Sequence, residues 1–359
     1  MNYEVISDIS QITLDWLNSV LIDSKALVNG RVEDFAIAVS SSANARIAKI
    51  QLQYSLGTTS TLPTSLFMKM CGGDGNIFGA SEVNYYTRDY IHLTNPPIPT
   101  CYHAAYAENP RRYHLLLEDL SASHQLNWQV KPTLAYGCMA AQALARLHAH
   151  LWGTEKLKTI GASIPTKTEI ERYLNHVQPG LLPMLEEVGT EIDGLSPSAL
   201  MDVFQYHPAK MIERTKNISG FTLIHGDVNP GNILSPLNGT AKTYLIDRQP
   251  FDWSLTTWLR VSDIAYMMVH WWDSDLRRQW EIPILREYYA CLVRNGVSGY
   301  DWEQLIEDYK LTAVQSLYVA TQWCVLEQDR RKMKWLWFPQ LQKSMTAFFD
   351  LNCSDLWIY

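Results

Sequence analysis

A polar turn between two apolar runs is the feature that most constrains how this chain can fold. The first run covers residues 221–224 and leads into His225-Gly226-Asp227, and Asn232 follows five positions after the aspartate. The second run covers residues 243–246 and ends at Asp247. Turn-forming residues separate the two runs, so the sequence predicts a hairpin with Asp227, Asn232 and Asp247 at one mouth.

Two carboxylates and an amide in this arrangement suit phosphoryl transfer from a nucleotide. One carboxylate can orient an acceptor hydroxyl and take its proton, which is the role predicted for Asp227. Magnesium prefers hard oxygen ligands, so Asn232 and Asp247 are the predicted metal ligands. The spacing matches the catalytic spacing of protein kinases. The competing interpretation is a surface turn with incidental acids, and the position of these side chains at the ends of apolar runs argues against it.

The same stretch resembles the aminoglycoside phosphotransferase and choline kinase superfamily, the small-molecule branch of the kinase-like fold. His225-Gly226-Asp227 stands where protein kinases have His-Arg-Asp, and Asp247-Arg248-Gln249 stands where they have Asp-Phe-Gly. Together with Ser262-Asp263-Ile264-Ala265-Tyr266, the pattern is most similar to the ecdysteroid-kinase-like relatives. The resemblance runs from about Val32 to about Ala320.

This resemblance implies an α+β fold of the bilobal, protein-kinase-like type and the use of ATP. A small nucleotide-binding lobe with a five-stranded sheet is expected in residues 1–119. A large, mostly helical lobe that carries the catalytic loop and the acceptor site is expected in residues 120–359. His225 is expected to hold the catalytic loop by hydrogen bonding.

The resemblance also assigns a lysine and a glutamate to the nucleotide site. Lys69 lies in an apolar strand, where kinase-like folds place the lysine that binds phosphate. Glu82, in the helix that follows, resembles the glutamate that pairs with this lysine. Taken alone, Lys69 would be expected to face solvent, and Glu82 would be a first-turn acid favoured by the helix dipole.

Two further nucleotide contacts follow from position. Residues 40–44 join the first two predicted strands where kinase-like folds have a glycine-rich loop, so Ser41 and Ser42 are predicted to contact phosphate although glycine is absent. Residues 115–120 look like the hinge between the lobes, and the backbone from Glu118 to Leu120 is predicted to bind adenine.

Several other side chains receive structural interpretations. Hydrophobic residues recur at helical spacing in residues 8–21 and 133–152. His148 is interpreted as a core histidine. Asp263 could cap the next helix, and the matching acid of the family braces the catalytic loop. Arg277 and Arg278 are expected to be solvated.

Composition argues against several other classes. The net charge of -7 argues against a nucleic-acid-binding protein, which usually has a basic surface. The six cysteines show no paired short spacing, so neither a zinc site nor a disulfide framework is expected. No apolar run reaches the length of a membrane span and the first residues lack a signal-peptide pattern, so a cytoplasmic protein is expected.

The leading hypothesis is an ATP- and magnesium-dependent kinase of a small-molecule hydroxyl. The alternative is a kinase-like protein that binds without catalysis, which the glycine-free loop favours. A protein kinase is disfavoured because Asp-Phe-Gly and Ala-Pro-Glu are both missing. The chain has 13 tryptophans, and all except Trp16 follow Asp119. An indole-rich acceptor site favours a hydrophobic or amphipathic metabolite, or a cationic alcohol, over a heavily hydroxylated aminoglycoside.

Overall fold

The structure is a computed structural model that describes residues 4–41, 45–58, 62–71, 78–128, 131–189, 196–239 and 242–357. The chain forms two compact units. The first contains Met1–Gln125 and Pro236–Asp252, and the second contains Leu126–Ser235 and Trp253–Tyr359. The first unit is built on a β-sheet and the second is mostly helical, which confirms the predicted α+β class.

Strands and helices follow one another in this order. The strands are β1 (Val32–Ser41), β2 (Ala45–Tyr54), β3 (Ser65–Cys71), β4 (Cys101–Glu108), β5 (Arg111–Glu118), β6 (His124–Leu126), β7 (Phe221–Leu223), β8 (Ile233–Pro236), β9 (Tyr244–Leu245) and β10 (Thr257–Leu259). The helices are α1 (Leu14–Asp23), α2 (Ser81–Asn84), α3 (Leu134–His150), α4 (Thr154–Thr159), α5 (Lys167–Val177), α6 (Leu181–Val188), α7 (Pro197–Arg214), α8 (Val261–Ala265), α9 (Ser274–Arg294), α10 (Trp302–Gln322), α11 (Glu327–Lys332) and α12 (Lys334–Asp350).

Short helical turns of other types accompany these elements. Turns of 3-10 helix cover Ile9–Gln11, Gln178–Gly180 and Cys353–Leu356. Wider π-helical turns extend α2 through Tyr85–Asp89 and α8 through Tyr266–His270. None of the helices within the described ranges is long and apolar enough to cross a membrane.

The first unit is organised around an antiparallel sheet with the strand order β1-β2-β3-β5-β4. Strand β3 lies in the middle of this order, and its apolar residues Leu66, Met68 and Met70 are fully buried. Helix α1 covers the sheet with Leu17, Val20 and Leu21. Lys69 is therefore carried by a central strand whose neighbours hold it in register on both sides.

Helix α1 starts later than its hydrophobic pattern predicts. The pattern suggests a helix from Asp8, but Ile12 leaves the helical conformation with ψ at 112°. Thr13 then caps α1, because its hydroxyl accepts a hydrogen bond from the amide of Trp16. A capping box at Asp8 and Gln11 closes the separate short turn before it.

The second unit has a helical core around α10. Buried residues from α5, α6, α7, α10 and α12 share this core, among them Val177, Met184, Val203, Leu317 and Leu341. Strand β7 pairs antiparallel with β10 through Phe221 and Leu259, and all three residues of β7 are buried. The first predicted apolar run is thus a buried strand that ends just before the polar turn.

Candidate active site

A buried carboxylate from α8 fixes the turn that follows β7. Asp263 Oδ2 accepts a hydrogen bond from the amide of His225 at 2.7 Å, and Oδ1 accepts one from the amide of Gly226 at 2.8 Å. Gly226 has a φ of +81°, which glycine adopts without a steric penalty. Asp263 makes no capping bond to α8. Of its two expected roles, bracing the turn is the one present.

His148 of α3 completes this brace. Its Nε2 lies 3.0 Å from Asp263 Oδ2, and its Nδ1 lies 2.7 Å from the hydroxyl of Tyr288. Burial lowers the pKa of His148, so its ring is neutral, with Nε2 donating to Asp263 and Nδ1 accepting from Tyr288. Burial alone would raise the pKa of Asp263, but the hydrogen bond from His148 and its neighbours lower it. His148 is the core histidine that the sequence predicts.

Three side chains donate hydrogen bonds to Asp227. The hydroxyl of Tyr266 and the amide nitrogen of Asn229 both reach Oδ1 at 2.9 Å. The amide nitrogen of Asn232 reaches Oδ2 at 3.0 Å. This environment suits an ionised carboxylate, which only accepts hydrogen bonds. The donors hold the carboxylate in one orientation.

Tyr266 is held as a hydrogen-bond donor by its surroundings. Burial and the adjacent Asp227 carboxylate raise the pKa of Tyr266 well above its usual range. The phenol therefore keeps its proton at physiological pH. Its position in the π-helical turn after α8 links the helix that braces the turn to the carboxylate that the turn carries.

Asn232 is buried and its amide nitrogen is committed to Asp227. Besides the bond to Oδ2, this nitrogen donates to the backbone carbonyl of Asp227 at 2.8 Å. The orientation of the amide is thereby fixed, and oxygen is the atom that Asn232 can offer to a cation. His225 Nδ1 lies 3.4 Å from the amide of Asp227, and Asn229 Oδ1 accepts from the amide of Gly231 at 2.7 Å. Side chains of the turn therefore make hydrogen bonds to its own backbone and hold its conformation.

In the first unit, Lys69 contacts two carboxylates. Its ammonium lies 2.8 and 2.9 Å from the two oxygens of Glu82, and 2.6 Å from Asp247 Oδ1. Lys69 is only 9% exposed. Burial alone would lower the pKa of Lys69, but the carboxylates raise it above its usual range, so the side chain is a permanent cation. The ion pair that the sequence predicts between Lys69 and Glu82 is present.

Gln249 adds a contact to this cluster that the sequence does not predict. Its amide nitrogen lies 2.8 Å from Glu82 Oε2 and 2.9 Å from the hydroxyl of Tyr113 on β5. Asp247, two residues earlier, has a φ of +65°, which is uncommon for a residue other than glycine. The segment after β9 therefore contributes both Asp247 and Gln249 to the surroundings of Lys69 and Glu82.

The remaining predicted nucleotide contacts are described only in part. Ser41 is the last residue of β1 and pairs with Arg46 of β2, whereas Ser42 lies outside the described residues. The amide of Glu118 donates to the carbonyl of Thr100, and the carbonyl of Leu120 accepts from the amides of Ser123 and His124. Adenine binding at this segment stays a prediction.

The predicted residues thus fall into two groups, each in one unit. Asp227 and Asn232 are bonded to each other in the second unit, with His225 in the same turn. Lys69, Glu82 and Asp247 contact one another in the first. The convergence of the two groups stays a prediction. In the described ranges, no cluster of three or more His, Cys, Asp or Glu side chains is suited to hold a metal ion.

Among the contacting residues for which the sequence predicts no role are Tyr266, Asn229 and Gln249. Each lies inside or beside a motif that the sequence does reveal. Asn229 is two residues after Asp227, Gln249 is two residues after Asp247, and Tyr266 is three residues after Asp263. Proximity in sequence to those acids was the available signal, but it does not tell which neighbours point inward.

A family model and several solved structures are similar to this chain. The model of the ecdysteroid kinase-like family matches residues 84–296. The GDP complex of wild-type aminoglycoside 2'-phosphotransferase-IIIa is 12% identical, covers 94% of this chain and 100% of its own, and has a TM-score of 0.53. Choline kinase from Cryptosporidium parvum Iowa II is 13% identical, covers 93% of this chain and 96% of its own, and has a TM-score of 0.51.

A third solved structure is similar to this chain at a comparable identity and coverage. Spectinomycin phosphotransferase in complex with ADP and spectinomycin is 12% identical, covers 96% of this chain and 99% of its own, and has a TM-score of 0.50. No curated protein matches the sequence. At these identities the structural likeness establishes the fold alone, and that fold is kinase-like.

Proposed function

The chain belongs to the ecdysteroid kinase-like family, and from that premise we propose that it transfers the γ-phosphoryl group of ATP to a hydroxyl of a small molecule. The observation that carries this proposal is the cluster of Lys69, Glu82 and Asp247. Burying a cation costs free energy, and a buried ion pair gives little net stability in return. A buried lysine kept charged by two carboxylates is better explained by a site for anionic phosphates.

Lys69 holds the phosphates of ATP, and Glu82 holds Lys69. Glu82 is itself 4% exposed and receives the amide of Gln249, so the lysine is oriented by a side chain that is anchored on two sides. The backbone from Glu118 to Leu120 receives the adenine. Ser41, the last residue of β1, and Ser42 are the proposed contacts to the phosphates.

Asn232 and Asp247 are the proposed magnesium ligands. A carboxylate and an amide oxygen are hard donors of the kind this ion prefers, and magnesium completes its shell with water and phosphate oxygens, so few protein ligands are needed. The amide nitrogen of Asn232 is committed to Asp227, so its oxygen is the atom that would hold the metal. Magnesium, when bound, neutralises charge that develops on the transferring phosphates.

Asp227 orients the acceptor and removes its proton. The hydroxyl oxygen of the acceptor forms a bond to the γ-phosphorus while the bond from that phosphorus to the bridging oxygen of ADP breaks. The proton of the hydroxyl passes to Asp227. Because the transition state of phosphoryl transfer is loose, orientation of the hydroxyl contributes more than early removal of its proton.

The acceptor is a hydrophobic or amphipathic hydroxylated metabolite. The unit that carries Asp227 also contains Trp128 and Trp271, whose rings contact each other edge to face with centroids 5.2 Å apart. Indole faces favour apolar groups through burial of surface. A heavily hydroxylated aminoglycoside would need many carboxylates to pair with its amines.

The test is magnesium-dependent release of ADP in the presence of a library of alcohols, with the phosphorylated product detected directly. Asp227→Asn should lower turnover by about 100-fold or more while ATP still binds, because positioned acid–base groups contribute factors of that size. Asp202→Asn, at an exposed position of α7, is the matched control and should behave as wild type. ATP binding without phosphorylation of any alcohol would favour the alternative, a kinase-like binding protein.

A further inference from the structure

Trp128 lies against the backbone of the turn that carries Asp227. A Cβ added to Gly231 would come within 2.6 Å of Cε2 of Trp128, so the indole occupies the space that a side chain at residue 231 would need. Trp128 is nevertheless 55% exposed. An indole that is packed on one side and open to water on the other leaves a large apolar surface next to the turn.

A row of aromatic rings leads from this surface to Asp227. The ring of Trp271 lies 5.2 Å from that of Trp128 at an interplanar angle of 81°. The ring of Tyr266 lies 6.5 Å from that of Trp271 at 63°. Tyr266 in turn donates to Asp227 Oδ1. We call Trp128, Trp271 and Tyr266 the aromatic row.

We propose that the aromatic row binds the body of the acceptor, a neutral alcohol with a bulky apolar group, and that Trp128 determines this specificity. The hydroxyl of such an alcohol lies at Asp227, and its apolar part contacts the indole rings. The role of Asp227 rests on the proposed function. The position of the apolar contact rests on the exposed face of Trp128 beside the same turn.

Charges of both signs lie beside the row, with the Asp227 carboxylate at Tyr266 and the Lys343 ammonium at Trp271. The ammonium of Lys343 lies 3.4 Å from the carbonyl oxygen of Trp271, so a positive charge is already present at this residue. The ring of His270 stacks on Tyr266 with centroids 4.8 Å apart and covers one face of the phenol. A cationic head group would be attracted by Asp227 but repelled by Lys343, and it would lose that phenol face for cation–π contact. The exposed apolar face of Trp128 is therefore the contribution that favours a neutral alcohol.

Direct binding of 1-adamantanemethanol, a bulky neutral alcohol, tests the proposal without requiring catalysis. Its dissociation constant is measured by equilibrium dialysis and by saturation-transfer NMR on the full chain. Trp128→Ala should raise the constant by about tenfold or more, which is typical of an aromatic anchor, while Trp128→Phe should raise it by less. Trp335→Ala, at a 70% exposed tryptophan of α12, is the matched control and should leave binding unchanged.

A pair of isosteric alcohols tests the charge. Choline and 3,3-dimethyl-1-butanol have nearly the same shape, but only choline carries a positive charge. The neutral alcohol should bind at least as tightly as choline. Tighter binding of choline, lost in Trp128→Ala, would overturn the neutral class. Equal affinity of 1-adamantanemethanol for wild type and Trp128→Ala, or no binding to either, would overturn the role of the row.

These results are separable from the proposed function. Binding that depends on Trp128 with no phosphorylation in the presence of MgATP would support the row and contradict the kinase proposal. Phosphorylation of 1-adamantanemethanol with the same KM in wild type and Trp128→Ala would support the kinase and contradict the row.

Discussion

The hydroxyl of Tyr266 connects the helix that braces the turn after β7 to the Asp227 carboxylate in that turn. The hydroxyl of Tyr266 donates to Asp227, which also receives the amides of Asn229 and Asn232. Without Tyr266 the carboxylate keeps the bonds from Asn229 and Asn232, so Asp227 should remain charged but less well oriented. Tyr266 is therefore a positioning residue, and its loss should affect turnover more than substrate binding.

Tyr266→Phe should lower kcat by about 10-fold or more, since a hydrogen bond to a charged group contributes roughly 1.5–3 kcal/mol. The KM for ATP should stay within about twofold of wild type, because loss of an interaction made in the transition state lowers kcat and kcat/KM together. Tyr289→Phe removes a hydroxyl that, within the described part of the chain, bonds to the carbonyl of Tyr300, and it is the control. A change confined to KM would contradict the positioning role.

Lys69 and its partner Glu82 are buried together, so removing one charge affects the other. Lys69→Met should weaken ATP binding and also lower the free energy of unfolding by roughly 3–5 kcal/mol, because Glu82 would be left as an uncompensated buried charge. The double variant Lys69→Met with Glu82→Gln should recover much of the stability but none of the ATP affinity. Urea unfolding and ATP titration of the three proteins measure these two effects.

The double variant separates the two explanations of the ion pair. If Lys69 only stabilises the fold, recovery of stability should restore ATP binding as well.

The sequence predicts Lys69 and Glu82 because both stand in recognisable positions of a strand and a helix. The sequence does not predict the contacts of Gln249. A single polar residue two positions after Asp247 gives no indication that its amide will contact Glu82 and Tyr113.

At the scale of elements, strand patterns are predicted well and helix details less so. Strand β2 begins at Ala45, directly after residues 40–44, which are predicted to join the first two strands. The π-helical turns at Tyr85–Asp89 and Tyr266–His270 are not predicted, because hydrophobic periodicity does not report a local change in the hydrogen-bond ladder. The second of these turns carries Tyr266, so the missed geometry belongs to the site.

Helix packing in the second unit depends on a glycine that brings two backbones together. A Cβ added to Gly180 would overlap the carbonyl oxygen of Thr321 and lie 3.0 Å from the amide of Val325. Gly180→Ala would force the turn before α6 away from α10, and overpacking of this kind costs about 1–3 kcal/mol. Unfolding in urea should show this loss of stability.

Gly239→Ala is the control for that measurement, because no atom of the described residues lies within 4 Å of a Cβ added there. Its stability should stay close to wild type. Equal stability of the Gly180 and Gly239 variants would show that the backbone of α10 yields without cost. The ADP-release rate of the Gly180 variant, measured well below its unfolding transition, should be little changed.

At the scale of the whole molecule, long-range ion pairs escape prediction from sequence. Arg277 was expected to be solvated beside Arg278, but it is 1% exposed and bonded to Glu281 and Asp350. Arg278 is exposed, as expected, and shares Asp350 with its neighbour. Asp350 ends α12, far along the chain from Arg277. The residue pattern of α9 alone does not reveal that the end of α12 will contact Arg277.

Buried histidines should make the folded state sensitive to acid. Burial lowers the pKa of His114, His207 and His270 to about 3 in each case. In the unfolded chain these rings have pKa values of about 6.5, so unfolding between pH 6.5 and pH 3 takes up protons. Stability is therefore fully present above pH 6.5, and each ring removes about 1.4 kcal/mol per pH unit as the pH falls through this window.

His207→Gln tests this slope at one fully buried site. Its ring contacts the hydroxyl of Tyr318 and the carbonyl of Leu311, so the variant will be less stable than wild type at neutral pH. Between pH 7 and pH 5, however, it should lose about 2 kcal/mol less of its remaining free energy of unfolding, because one proton-binding site is gone from the unfolded chain. His92→Gln, at an exposed position, should keep the wild-type slope. Parallel curves for wild type and His207→Gln would mean that His207 already binds its proton in the folded protein, and that the acid sensitivity arises from other groups.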